Sequence, residues 1–313
     1  MNNIFVNLKR FEVSRKLGGL CDFDCPQEWI ASVLQQCVQK GLGNMENVEL
    51  TFFLPEALLS TAVSSLAKEA AADRKNLHLG CQSVYREDIK VGGNFGAFTS
   101  NRPATAAKVV GSNWAIIGHS EERKDKVGII TTFLEDNGGC DCGGKPADTV
   151  SRLIGQECAA ALDAGLKVLV CVGESEAKGA DTSQQEHEEN VKRTLKEQLS
   201  FSLPRQEVSF NEGNLVIAYE PIWAIGPGKT PPGREHIAFV SAYIKEAVKE
   251  LRGFIPRVVY GGGLKEENAG MLASIESIDG GLVALTRFTG EIGFYPDDLA
   301  KIIDAYREGR GQK

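Results

Sequence analysis

Residues 154–173, Ile-Gly-Gln-Glu-Cys-Ala-Ala-Ala-Leu-Asp-Ala-Gly-Leu-Lys-Val-Leu-Val-Cys-Val-Gly, change their hydrophobic period halfway along. Ile154, Cys158, Ala161 and Leu162 fall on one face of a helix, whereas 167–173 is a continuous apolar, β-branched run. A strand without polar alternation is buried on both faces, as in a parallel sheet covered by helices. The same kind of run recurs at 3–8, 48–55, 77–84, 114–119, 214–221, 257–263 and 280–286. Stretches of helical spacing separate the runs, for example Trp29, Val33, Leu34, Cys37 and Val38. Parallel neighbours need crossover connections. Eight such units predict an α/β fold closed as a (β/α)8 TIM barrel, a single domain over 1–313. An open doubly wound sheet would place Gly-x-Gly-x-x-Gly after the first strand, and Asn7-Leu8-Lys9 stands there instead.

Composition agrees with one barrel. The 313 residues carry a net charge of −7 and 42% hydrophobic residues, and α/β barrels commonly use about 250 residues or more in one domain. The mild acidity, without a basic patch, argues against a nucleic-acid surface. No apolar run approaches the ~20 residues that span a bilayer, and Met1 to Phe11 lacks the pattern of a secretory signal, so no membrane partner is expected. Eight cysteines are too sparse for a disulfide scaffold, and Cys81 and Cys171 lie inside strand-like runs; a reducing, cytoplasmic setting is the simplest expectation.

Two connections, 10–26 and 124–147, are longer than a barrel needs and read as enlarged irregular loops after strands 1 and 4. They carry Cys21, Cys25, Cys140 and Cys142 on one face of the barrel. Four thiolates suit zinc, but the spacing is no standard zinc pattern. Free thiols are the preferred reading, with no metal and no cofactor.

Catalytic groups of such barrels sit at the C-terminal strand ends. The polar residues there are Asn7, Lys9, Gln82, His119 and Glu220. A carboxylate can take a proton from carbon beside a carbonyl, an imidazole can exchange protons with the oxygens, and an ammonium can stabilise the enediolate. His78, His187 and His236 receive no role. The run Gly226-Pro227-Gly228-Lys229-Thr230 is not a nucleotide loop, because Trp223 stands where that pattern requires Gly.

Asn7-x-Lys9, Gly118-His119-Ser120-Glu121-x-Arg123, Tyr219-Glu220-Pro221-Ile222-Trp223-Ala224-Ile225-Gly226 and Tyr260-Gly261-Gly262 occur in that order, and together they resemble the triosephosphate isomerase family. Shorter matches at Gly96-Ala97-Phe98-Thr99 and Cys171-Val172-Gly173-Glu174 fill the interval. The resemblance implies interconversion of dihydroxyacetone phosphate and glyceraldehyde 3-phosphate, as in glycolysis and gluconeogenesis. It implies Glu220 as carbon base, His119 as electrophile, Lys9 as cationic stabiliser, Asn7 as its positioning partner and Glu121 as a support. It implies a lid from Pro221 to Lys229 with Gly226 at its tip, phosphate contacts from Gly262 and Gly263, and a homodimer joined through the Gly96–Thr99 segment. A family case already pairs a glutamate base with a neutral histidine. Locally, Ser120 could cap a helix starting at Glu121 and Glu122, whose N-terminal dipole disfavours an imidazolium.

The sequence departs from the family at Leu8 for Trp, Ser83 for Asn, Glu122 for Arg, Pro227 for Thr or Ser, and Ser100-Asn101 for Gly-Glu. Gly263 replaces a serine, and Leu285 follows Ala284 where a Gly-Gly pair would grip phosphate. Arg287 is the nearest replacement cation, with Lys265 second; alternatively Arg287 pairs with Glu291 or Asp297. A longer sugar phosphate, such as a tetrulose phosphate, and a catalytically inactive binding or regulatory relative remain the alternatives.

Overall fold

A closed ring of eight parallel strands, paired strictly in chain order with the last against the first, forms the centre of the protein. The computed structural model describes residues 1–136, 145–175, 178–179, 181–204, 210–226 and 228–311. The strands are β1 Asn2–Asn7, β2 Val48–Leu54, β3 Leu77–Cys81, β4 Trp114–Ile117, β5 Lys167–Val172, β6 Leu215–Tyr219, β7 Arg257–Tyr260 and β8 Gly280–Val283. Around them lie helices α1 Pro26–Gln39, α2 Glu56–Leu66, α3 Ala104–Val110, α4 Ser120–Asp136, α5 Pro146–Asp163, α6 Gln184–Ser202, α7 Arg234–Arg252, α8 Glu266–Ala273 and α9 Pro296–Gly309.

Two cores follow from the strand period of two. Phe5, Phe53, Trp114, Ile116, Leu169, Val216, Val259 and Leu282 fill the barrel interior. Phe5 stacks on Phe53 at 5.7 Å and meets Trp114 edge-on at 5.1 Å. Gly80 makes room for these rings, since a Cβ there would lie 2.6 Å from the Phe53 ring. The alternate strand residues, such as Ile4, Val6, Leu50 and Val170, face the helices. Trp29, Val33 and Leu34 of α1 and Ile154, Cys158 and Ala161 of α5 are buried against them, and each large aliphatic side chain so covered contributes about 1.5–3 kcal/mol.

The expected barrel is therefore present, with strand limits shifted by a few residues: β3 stops at Cys81 rather than at 84, and β8 at Val283 rather than at 286. The connection after β4 differs more. Residues 124–136, expected as irregular loop, continue α4, whose Val127 and Ile130 pack against the core while most of its surface stays exposed. Cys140 and Cys142 lie outside the described residues. After β1 the chain is irregular as expected, with a short 3-10 turn at Arg15–Leu17 and a Ser14–Cys21 bridge. Among the described residues no three His, Cys, Asp or Glu side chains converge as a metal site, and no helix is long and apolar enough to cross a membrane.

Strand ends approach one another closely at the mouth. An ideal Cβ on Gly173, just after β5, would lie 1.7 Å from the carbonyl oxygen of Glu220, just after β6. Gly173→Ala should therefore displace the Glu220 backbone and cost about 3 kcal/mol, measurable as a lowered midpoint in urea unfolding.

Candidate active site

Glu220 is the first residue beyond β6 and only 2% exposed. Its N–H donates to Val172 O at 2.8 Å, which fixes the main chain to the end of β5. The carboxylate meets two groups from the β4–α4 turn: Ser120 N–H donates to Oε2 at 3.0 Å, and His119 Nε2 lies 3.3 Å from Oε1. Gly261, at the end of β7, leaves space for it, because a Cβ there would fall 2.8 Å from Glu220 Cγ. Burial pushes the Glu220 carboxyl above its ordinary range, opposed by His119, the Ser120 N–H, Arg123 and Lys9.

The His119 ring has a defined tautomer. Glu121 N–H, in the first turn of α4, donates to Nδ1 at 3.3 Å, so Nδ1 is an acceptor and the proton of the neutral ring sits on Nε2. The sequence pointed to Ser120 as the cap of a helix starting at Glu121. Instead α4 begins at Ser120 itself, the imidazole accepts the Glu121 N–H, and the Ser120 N–H serves Glu220. The open N-terminus of the helix holds both functional side chains.

Lys9 occupies the left-handed region at φ 44°, unusual for a side-chain-bearing residue. Asn7 Oδ1 accepts Lys9 N–H at 3.1 Å, and Gln82 Nε2 donates to Asn7 Oδ1 at 3.2 Å and to Lys9 O at 3.0 Å. Asn7 and Gln82 thus hold the backbone that presents the ammonium. Asn7, Lys9, Gln82, His119, Glu121 and Glu122 line one cavity of about 410 Å3.

Among the described residues, that wall does not include Glu220, Gly226, Gly262, Gly263 or Arg287; Glu220 meets the cavity through His119, which lines it. Gly226 is exposed at φ 120° in the expected lid, and Pro227 lies outside the described residues. Gly262 has no room for a side chain, since a Cβ would lie 2.3 Å from Tyr260 Oη, and Gly263 takes φ 99°. Arg287 pairs with Asp298, neither Glu291 nor Asp297: Nε and Nη2 donate to Oδ2 at 3.1 and 2.9 Å, and the guanidinium stacks on Tyr295. Residues 284–295 fold back through an antiparallel Arg287–Gly293 bridge, which brings Asp298 at the start of α9 within reach.

Sequence reasoning assigned no role to Glu174 or His236. Glu174, 4% exposed, accepts from Tyr219 Oη at 2.8 Å and from Trp223 Nε1 at 2.7 Å through Oε1, with His236 Nε2 at 3.4 Å. Its carbonyl accepts Ile222 N–H at 3.0 Å. One buried carboxylate thereby anchors the 3-10 turn Ile222–Ala224, at the start of the segment expected as a lid, to β6 and to the first turn of α7. The available signal was an acid at the end of an apolar strand, but its partners are 45 or more residues away.

Fold and site together define a (β/α)8-barrel protein with an acid–base centre at the C-terminal mouth of its strands. A model of the triosephosphate isomerase family matches residues 27–305, and the chain belongs to that family. It is 30% identical over 282 residues to the triosephosphate isomerase of Halorhodospira halophila, covering 88% of this chain and 93% of the relative. It is 31% identical over 261 residues to that of Mesorhizobium japonicum, covering 82% of each. The crystal structure of triosephosphate isomerase from Bartonella henselae is similar at a TM-score of 0.65 and 25% identity, covering 98% of this chain and 99% of that one.

Because burial raises Glu220, the folded protein holds its proton more tightly than the unfolded chain does. Its stabilising contribution is then present at acid pH and lost as pH rises through the raised value. Glu220→Gln should consequently melt above wild type at neutral pH, with the gap closing below about pH 4, while turnover falls by about 10²–10⁴-fold. Calorimetry across pH and a steady-state assay check the two halves.

Proposed function

We propose that the protein interconverts dihydroxyacetone phosphate and glyceraldehyde 3-phosphate through an enediolate. The supporting observation is the 3.3 Å approach of a desolvated Glu220 carboxylate to an imidazole whose proton sits on Nε2. Glu220 takes the proton from the carbon beside the carbonyl and returns it to the neighbouring carbon. His119 Nε2–H donates to the oxygen that gains charge, and the Lys9 ammonium, held by Asn7 and Gln82, stabilises the enediolate. Glu121 supports His119 through its backbone N–H. Closure of the lid from Pro221 to Lys229 excludes water from the intermediate.

Phosphate is held by backbone N–H groups of Gly226, Gly262 and Gly263, and Arg287 serves as the side-chain cation only by exchanging its Asp298 partner for the anion. The doubled-back segment after β8 favours a second reading at the far end of the substrate, in which a longer ketose or aldose phosphate is accepted. The protein works in the cytoplasm as a homodimer, without a cofactor. Val91 at 107% and Phe95 at 87% exposure, beside Gly96–Thr99, supply the apolar contact that a second copy would cover.

An isomerase assay over three- to six-carbon sugar phosphates should give the highest kcat/KM with the trioses, and Glu220→Asp should lower kcat by about 10²–10³-fold. Arg287→Ala should raise KM several-fold with kcat retained, the signature of lost uniform binding. Activity with no member of the series would reject the isomerase reading. Sedimentation equilibrium should return twice the 33.9 kDa chain mass.

A further inference from the structure

We infer that Glu122 is a positioning residue for His119, acting through the peptide of Gly118. The inference deepens the isomerase reading and rests on it for its kinetic arm. Gly118 leaves β4 at φ 75°, and a Cβ there would meet Arg123 Nη2 and Ile154 at 3.0 Å. Its N–H turns toward α4, where Glu122 Oε2 accepts it at 2.7 Å. Its carbonyl accepts Arg123 Nε at 2.8 Å. Consecutive side chains of the first turn of α4 thus grip both polar groups of the glycine that precedes His119.

The two grips differ in reach. Arg123 also donates to Cys171 O at 2.9 Å, to Ser151 Oγ at 3.2 Å and to Ser202 Oγ at 3.1 Å, so it ties several elements together. Glu122 acts locally. Its Oε1 accepts Lys126 Nζ at 2.6 Å, and Lys126 in turn pairs with the buried Glu157. Burial, then the charge of Glu122, push the Glu157 carboxyl above its usual range. Burial would also raise Glu122, but the neighbouring Glu157 carboxyl and the Lys126 ammonium outweigh it and hold Glu122 below the usual carboxylate range. Lys126 thus bridges two carboxyls whose acidities are driven apart, and the more acidic of the two is the one on the Gly118 N–H.

This contact needs an acceptor. The family resemblance leads one to expect Arg at this position, and a guanidinium has only donors to offer the Gly118 N–H. Once Gly118 is fixed, the next two residues follow: the His119 ring is aimed at Glu220, and the Ser120 N–H reaches the same carboxylate. A small misplacement of such groups costs turnover rather than affinity.

Glu122→Leu and Glu122→Gln separate this role from a purely structural one. Assigned NMR signals of the Gly118 amide proton and the His119 ring nitrogens are compared with kcat and KM on triose phosphates. Wild type should show a downfield, exchange-protected Gly118 amide. Glu122→Leu should move that signal upfield, shift the His119 ring nitrogens and lower kcat by about 10–100-fold with KM within about twofold. Glu122→Gln, which keeps a carbonyl acceptor, should restore the ring signals and most of kcat. A folded Leu variant with wild-type His119 signals and kcat overturns the inference, as does a Gln variant as impaired as Leu. If the Leu variant does not fold, an unprotected, upfield Gly118 amide in wild type overturns it alone. A wild type inactive on every sugar phosphate rejects the isomerase reading instead, and the NMR arm then decides the role of Glu122.

Discussion

A carboxylate kept out of water at the junction of three strand ends is the constraint around which the mouth of the barrel is arranged. Glu220 is buried, so its charge must be met by fixed dipoles and cations rather than by solvent. The Ser120 N–H, the His119 ring, Arg123 and Lys9 supply them from the β4–α4 junction and from just beyond β1. Space for the side chain comes from Gly261, just after β7, and for its backbone from Gly173, just after β5. Filling either space would move the charge relative to the groups that tolerate it.

Around that centre the polar groups are paired in a way that makes neighbouring elements mutually dependent. Asn7 and Gln82 set an unfavourable backbone conformation at Lys9, a local strain sustained by hydrogen bonds from the ends of β1 and β3. Glu174 collects the phenol of Tyr219 and the indole of Trp223, so β6 and the turn at Ile222–Ala224 share one acceptor. Burial and Glu174 keep the Tyr219 phenol protonated, as its donor role demands. His187, stacked on His236 at 5.5 Å, is pulled below the usual imidazole range by burial and by that neighbour, so this corner carries a cost on acidification.

The β8 side is built differently from the rest of the mouth. Arg287 and Asp298 close a doubled-back segment over Tyr295, and Lys265 rests 4.1 Å over the Phe288 ring. Both cations identified from sequence as anion ligands are thus seated on aromatic faces.

The architecture was legible because its signals are local. An apolar, β-branched run and the helical spacing that precedes it, as in 154–173, report burial on two faces without knowledge of what lies opposite. Asn7, Lys9, His119 and Glu220 were legible for a related reason: each is polar at the end of such a run, and strand ends share one face of a barrel. The helical continuation to Asp136 was missed because the segment is mostly polar and exposed, so its period carries little information. What sequence could not supply is every relation between distant groups: Glu174 under Trp223, Glu157 beside Lys126, Asp298 rather than Asp297 on Arg287. Those pairings depend on ring closure and on backbone turns such as Gly118 at φ 75°. Side-chain chemistry is written residue by residue, whereas distance and desolvation, which decide protonation and partner, exist only once the chain has closed on itself.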